Sequence, residues 1–117
     1  MSVSGEGRRK FLHGLCTAHV QDLSSGGVLE ASVVDGAGQV TSVLTVVDGA
    51  DAMLGLGPDG RGVEIAKFFD KFAFPADGVT VEDASASYCH AWELAGPGVG
   101  QLLANALAAA SDATPAA

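Results

Sequence analysis

The chain is organised around residues 3–20, Val3-Ser-Gly-Glu-Gly-Arg-Arg-Lys-Phe-Leu-His-Gly-Leu-Cys-Thr-Ala-His-Val20. Its apolar residues fall at i, i+1, i+4 and i+5 from Phe11, which places them on one face of a helix, and a run of basic residues precedes them. This spacing predicts a short turn followed by an amphipathic helix from Glu6 to about Cys16. Gly14 weakens the last turn of that helix by about 1 kcal/mol relative to alanine.

A β-hairpin is expected next. The turn sequence Asp35-Gly36-Ala37-Gly38 separates two β-rich runs, Val28–Val34 and Gln39–Val47, and Asp-Gly between such runs is typical of a hairpin. Strict alternation in the second run predicts two apolar faces and therefore a central strand that is covered on both sides. One face would carry Val40, Ser42, Leu44 and Val46, and the other Thr41, Val43, Thr45 and Val47.

The second half of the chain alternates predicted strands and helices. The expected elements are a strand at Ala52–Leu56, a helix at Arg61–Phe72 capped by Asp59, strands at Val79–Asp83 and Ser87–Leu94, and a helix from Gly96 through Leu107. The order predicts an α+β fold, a mostly antiparallel sheet with helices on one side. We expect one domain over residues 1–107 and a flexible alanine-rich tail over residues 108–117.

Composition restricts the possible functions. With 117 residues, 48% of them hydrophobic and 17% charged, the chain matches a small globular domain. A net charge of -8 excludes a nucleic-acid surface, which requires clustered basic residues. Two cysteines fit a reducing compartment, and we expect neither a signal peptide nor a membrane span. A soluble protein of the cytoplasm, mitochondrion or plastid is expected, with the choice between these compartments open.

Two clusters of chemistry-bearing residues match no established kind of site. His13, Cys16 and His19, with the pair Cys89-His90, contain possible metal ligands, but their spacing differs from that of established zinc sites. The same residue types lack the orienting motif of a Cys/His hydrolase. The segment 96–100 is glycine-rich but lacks the lysine and Ser/Thr of a phosphate loop. We therefore expect no metal and no catalytic residue.

Several landmarks along the chain carry a family resemblance. They are Ser4-Gly5, Phe11-Leu12-His13-Gly14, Thr17-x-x-Val20, Asp35-x-x-Gly38-Gln39-Val40, Phe69-x-Lys71-Phe72, Val79-x-Val81-Glu82-Asp83 and Gly96-Pro97. In order and spacing they resemble the folate-binding domain shared by the glycine-cleavage T-protein (GcvT, aminomethyltransferase) and its YgfZ-type relatives. The similarity covers residues 3–107 and implies an N-terminal fragment of that domain, in which the pterin of tetrahydrofolate lies in a central cavity of three subdomains.

The resemblance also implies a set of ligand-contacting residues and a loss of chemistry. It places Thr17, His19, Ser42, Val43 and Thr45 near the pterin wall as cofactor-binding residues. Aminomethyltransferases carry an Asp-Asp pair where this chain has Ser42 and Val43, an aspartate where it has His19, and often a tyrosine where it has Glu30. These departures point away from transferase chemistry and towards the YgfZ-type branch.

Three functions remain as expectations. The first is a tetrahydrofolate-binding module of the YgfZ type, associated with the maintenance of iron–sulfur enzymes and without transferase chemistry of its own. The second is a non-enzymatic interaction fragment that docks with a protein partner or with the missing C-terminal part of the domain, through exposed apolar surface. The third is aminomethyltransferase-like one-carbon transfer, which the residues at 42 and 43 disfavour.

Overall fold

The computed structural model of the chain describes residues 1–57, 61–87 and 92–112. Its strands are β1 (Ser2–Ser4), β2 (Val28–Val34), β3 (Val40–Asp48), β4 (Ala52–Leu56) and β5 (Thr80–Glu82). Its helices are α1 (Arg8–Leu15), α2 (Gly62–Asp70) and α3 (Val99–Asp112), with short 3-10 turns at Val20–Asp22 and Pro75–Asp77.

The strands form one antiparallel sheet in the order β2-β3-β4-β1-β5. The expected hairpin of β2 and β3 is present, and the turn between them is closed by Asp35, whose carboxylate accepts hydrogen bonds from the backbone N–H groups of Ala37 and Gln39, both at 2.9 Å. This is how an aspartate commonly closes such a turn. The predicted α+β class and mostly antiparallel sheet are confirmed.

Helices α1 and α2 cover one face of the sheet. Phe11 and Leu12 of α1 and Ile65 and Phe69 of α2 are buried against it. The stripe of phenylalanines in α2 therefore packs into the core as its helical spacing predicts, and Phe69 lies 6.3 Å from Phe11, ring centre to ring centre. The sheet contributes its own buried residues to this core, namely Val3, Ala31, Val33, Leu44, Val46 and Met53.

The opposite face of the sheet is open. No described segment buries it, and Val28 and Val43 on this face are 59% and 48% exposed. The expected cover on both sides of β3 is therefore wrong for the described part of the chain. We call this surface the open sheet face and define it by the apolar residues that point to it, Val28, Val34, Val40, Val43, Val47, Ala52, Leu54 and Leu56.

A bulge in the hairpin interrupts the alternation of β3, so the strict alternation predicted from the sequence is wrong at this point. Val33 pairs with Ser42, but the next residue of β2, Val34, pairs with Val40, so Thr41 is the extra residue. Val40 is consequently on the same face as Val34 and 60% exposed, instead of sharing the core face with Leu44 as strict alternation predicts.

The C-terminal third differs most from expectation. Ser87 lies in a turn and residues 92–94 form no strand, while Tyr88 to Ala91, including Cys89 and His90, fall outside the described residues. Trp92 is 87% exposed and lies in no strand or helix. Helix α3 continues past Leu107 to Asp112, and residues 113–117 of the expected tail are not among the described residues.

Two further points concern the helices. The N-cap of α2 is Arg61; Asp59, the expected cap, falls outside the described residues. Among the helices that the structure describes, none combines the length and the apolar character needed to cross a bilayer.

Candidate functional site

A cleft lies on the covered side of the sheet, between the bulge of β3 and helix α2. Its volume is about 280 Å³, close to the lower end of the range for small-molecule sites. Its apolar walls come from Val33 of the sheet and from Ile65, Phe68 and Phe69 of α2. The cleft can therefore take a flat ring system between a strand and a row of aromatic side chains.

The bulge supplies the polar groups on the sheet side of the cleft. Because Thr41 and Ser42 both stand opposite Val33, consecutive residues line the same cleft, which a regular strand would not allow. The Thr41 hydroxyl donates a hydrogen bond of 3.2 Å to the carbonyl oxygen of Val33, which orients it and leaves its oxygen lone pairs as acceptors. The half-buried Ser42 is the second hydroxyl.

An ion pair stands at the start of α2 on the other side of the cleft. Arg61 Nε donates to Glu64 Oε2 at 3.0 Å, and the side chains are 48% and 69% exposed. A pair of this kind contributes less than about 1 kcal/mol to folding because water screens it. Both groups line the cleft, so it offers one cation and one carboxylate to a ligand.

The five residues implied by the family resemblance do not converge on this cleft. Ser42 lines it, whereas Val43 and Thr45 lie on the other face of the sheet, opposite Ser32 and Glu30 of β2. Sequence neighbours in a strand alternate between its two faces, which separates Ser42 from Val43.

Thr17 and His19 lie beyond the edge of the sheet. Thr17 extends the pairing of β2, since its backbone N–H donates to the carbonyl oxygen of Ser32 at 3.0 Å and its hydroxyl accepts from the Ser32 N–H at 3.1 Å. His19 is exposed, with its ring centre 5.4 Å from that of His13 and its Nδ1 atom 3.9 Å from a carboxylate oxygen of Asp22. Both residues connect α1 to β2 and neither lines the cleft.

The possible metal ligands do not assemble in the described part of the chain. No group of three or more His, Cys, Asp or Glu side chains there is arranged to hold an ion, and Cys89 and His90 are outside it. Burial raises the pKa of the Cys16 thiol to about 11.

A second depression, of about 430 Å³, lies between α1 and the residues that follow α2. Its rings are Phe11, Phe72 and Phe74. Its carboxylate, Asp77, accepts a hydrogen bond of 2.8 Å from the Phe74 backbone N–H and so closes the local turn. Four polar side chains line the cleft beside Ser42, whereas Lys10 and Asp77 are the polar side chains that line this depression, so the cleft is the candidate site.

Of the residues that line the cleft, the family resemblance implied Ser42 and none of the others. Thr41 lines the cleft because of the bulge, and no turn residue in the sequence indicates that bulge. Arg61 and Glu64 line the cleft because α2 packs on the sheet. Phe68 and Phe69 were expected only as core residues. The i, i+3 spacing of Arg61 and Glu64 at a helix start could have indicated their pairing.

Comparison with known proteins adds no relative to this picture. No protein-family model and no curated protein sequence matches the chain.

Proposed function

We propose that the chain is a tetrahydrofolate-binding module of the YgfZ type, with the pterin ring in the cleft beside Ser42. The observation that carries the proposal is the combination in one cleft of apolar walls, two hydroxyls and a carboxylate. A site that is mostly apolar and has a few converging polar groups is the usual form of a small-molecule site. The ligand class, a tetrahydrofolate, is inferred from the folate-binding family that the landmarks between Ser4 and Pro97 resemble.

The chemistry of a pterin fits these groups. Its aminopyrimidine edge carries adjacent N–H donors, and a carboxylate can accept both at once, as it does from a guanidinium. Glu64 supplies that carboxylate, and the Ser42 hydroxyl can donate to the ring's carbonyl oxygen. The Thr41 oxygen, whose proton is donated to a backbone carbonyl oxygen, can accept from a ring N–H group. The bicyclic ring of the pterin can stack against the ring of Phe68. Arg61, released from Glu64, would pair with a carboxylate of the glutamate tail.

Binding without transfer follows from the same residues. Ser42 and Val43 stand where aminomethyltransferases have two aspartates, and they point to opposite faces of the sheet. Within the cleft the carboxylate is Glu64, which in the proposed complex accepts from the N–H donors of the pterin. A role in the maintenance of iron–sulfur enzymes is part of this proposal and rests on the resemblance to the YgfZ-type branch.

Calorimetric titration of the purified chain with tetrahydrofolate tests the proposal. The wild-type chain is expected to bind, and Glu64→Gln to weaken binding about tenfold, since a charged hydrogen bond of about 1.4 kcal/mol is lost. Glu30→Gln is the matched control, because Glu30 is also exposed but lies on the open sheet face. A folded chain that does not bind, or equal losses in the two variants, would contradict the proposal.

A docking module is the second candidate function, and helix α3 favours it. Leu102, Leu103 and Leu107 are exposed by 64%, 43% and 62%, and α3 packs along no other described element. An amphipathic helix without a partner in its own domain is typical of a segment that binds elsewhere. Deletion of residues 99–117 should then change the free energy of unfolding by less than about 0.5 kcal/mol. Loss of cooperative unfolding would instead assign α3 to its own domain.

A further inference from the structure

Helix α3 carries an apolar stripe that the described part of the chain leaves uncovered. Its residues at i, i+3, i+4, i+7 and i+8 from its start are Val99, Leu102, Leu103, Ala106 and Leu107. All its side chains from Gln101 to Ser111 are exposed. The helix contains no charged residue before Asp112. A helix with this composition is normally buried on at least one side.

The open sheet face is the complementary surface. Val43 and Val28 are exposed there, and Val47, Leu54 and Leu56 are half-buried at its centre. A sheet face of this composition is usually covered by a helix or by a second sheet. Two apolar surfaces of different shape, a helix and a sheet, thus occur uncovered in one chain.

Helix α3 fits the dimensions of the open sheet face and brings no charge to most of it. The 14 residues of α3 give a length of about 21 Å, and the nine residues of β3, the middle strand of that face, give about 30 Å. The sheet face carries Glu30 and Glu82, so an acidic helix would be repelled there. In a chain of net charge -8, α3 is the helix that brings no charged side chain until its last residue.

We propose that two copies of the chain form a symmetric dimer in which α3 of each copy lies across the open sheet face of the other. Residues 92–98, which are exposed and form no strand or helix, are the connection that lets α3 reach a second copy. In a two-fold symmetric dimer, the α3 helices and the open sheet faces of both copies are all covered. No such surface is left to bind a third copy, so the assembly is a dimer.

The expected buried area is that of a stable interface. A leucine side chain removes roughly 100 Å² from water when it is buried. The three exposed leucines of α3, Leu102, Leu103 and Leu107, then give about 300 Å² for each helix, and the four surfaces of the dimer give about 1,200 Å² in total, at the lower end of the range of specific interfaces. The dimer does not involve the cleft beside Ser42, which lies on the other face of the sheet, so it goes beyond the proposed folate binding and can fail independently of it.

Sedimentation velocity on the full chain at about 1 to 100 µM tests the dimer, since an interface of standard size associates in or below this range. The expected result is a species of twice the 11.7 kDa chain mass. Val43→Glu on the sheet face and Leu103→Glu on α3 should each give monomers that still unfold cooperatively. Val63→Glu is the matched control, because Val63 is 50% exposed, like Val43, but lies on α2 away from both surfaces.

Cross-linking between copies tests the exchange itself. Both chains carry Cys89→Ser, and one also carries Val43→Cys while the other carries Leu103→Cys. The two chains are mixed and treated with a short bismaleimide, which joins two cysteines that lie close together. Cys16 reacts slowly with this reagent because burial raises the pKa of its thiol to about 11. The expected product joins one chain of each kind. A monomer at every concentration, a dimer that survives both glutamate variants, or efficient cross-linking within a single chain carrying both cysteines would overturn the proposal.

Discussion

Ser42 and Val43 are neighbours in β3, yet they belong to different surfaces of the molecule. Ser42 lines the cleft beneath α2, and Val43 is 48% exposed on the open sheet face. The pleat of a strand imposes this separation, so one strand contributes to two surfaces at once. The proposed ligand site uses one surface and the proposed dimer uses the other.

The separation predicts opposite outcomes for two small substitutions. Ser42→Ala should weaken tetrahydrofolate binding about fivefold, because a hydrogen bond of about 1 kcal/mol is lost. Val43→Ala should leave the dissociation constant unchanged, since its side chain points away from the cleft. Titration calorimetry on the two variants measures both values. A loss of affinity in Val43→Ala equal to that in Ser42→Ala would place the ligand elsewhere.

Two glycines near the start of the chain should respond oppositely to alanine. At Gly5, φ is +103° and a Cβ atom would lie 2.0 Å from the carbonyl oxygen of Gly78, so Gly5→Ala should destabilise by more than about 2 kcal/mol. At Gly14, within α1, a Cβ atom would meet nothing within 4 Å, and Gly14→Ala should stabilise by about 1 kcal/mol. Urea unfolding of the two variants compares them. Destabilisation by Gly14→Ala would show that this helix position is constrained in some other way.

Asp48 ties the end of β3 to α1. Its Oδ2 atom accepts from Arg9 Nη2 at 2.5 Å, and Arg9 also donates to the carbonyl oxygen of Leu23. The Asp48 side chain is 5% exposed and Arg9 is 32% exposed. Asp48→Asn should therefore destabilise by about 1–3 kcal/mol, below the cost of breaking a fully buried pair, because water reaches Arg9. Chemical denaturation measures the change in the free energy of unfolding, and Asp51→Asn is the control because Asp51 is exposed. Equal stability of the two variants would contradict a structural role for the pair.

The raised pKa of the Cys16 thiol leads us to expect a loss of stability at alkaline pH. Burial raises the pKa of this thiol from 9.0 to about 11, so between those values the unfolded chain has released a proton that the folded chain retains. Fewer protons bound in the unfolded state mean that the free energy of unfolding falls as the pH rises from about 9 to about 11. The Cys16→Ala variant, whose remaining titratable groups are unchanged, should show a shallower fall in denaturation curves over this range. Parallel curves for the two proteins would argue against a buried thiol.

The local parts of the fold could be predicted from the sequence. The bounds of β2 match the expected strand, and α2 forms where Ile65, Phe68 and Phe69 are spaced as a helix requires. The bulge at Thr41 could not be predicted, because it depends on how two strands pair and leaves no mark in either strand alone. The predicted strand from Ser87 to Leu94 is absent at Ser87 and at residues 92–94, the part of it that the structure describes, for a related reason. Alternating residues form a strand only when a neighbouring strand pairs with them, and these residues have no such neighbour.

The candidate site was less predictable than the fold. Ser42 was expected from the family resemblance, but Arg61, Glu64 and Phe68 join it only through the packing of α2 on the sheet. The resemblance also grouped Val43 and Thr45 with Ser42, although alternation in a strand separates them. A cleft between a helix and a bulge is a tertiary feature, and single-sequence patterns describe only secondary structure and its exposed faces.

The location of tetrahydrofolate on the folded chain is the most direct test of the proposed function. Amide chemical shifts, recorded by two-dimensional nuclear magnetic resonance with and without saturating tetrahydrofolate, report on each backbone position. We predict that the changes concentrate at Thr41, Ser42 and the first turns of α2, from Arg61 to Ile65, and spare Val28 and Leu54 on the open sheet face. An unchanged spectrum, or changes centred on Val28 and Leu54, would contradict the assignment of this cleft as the folate site.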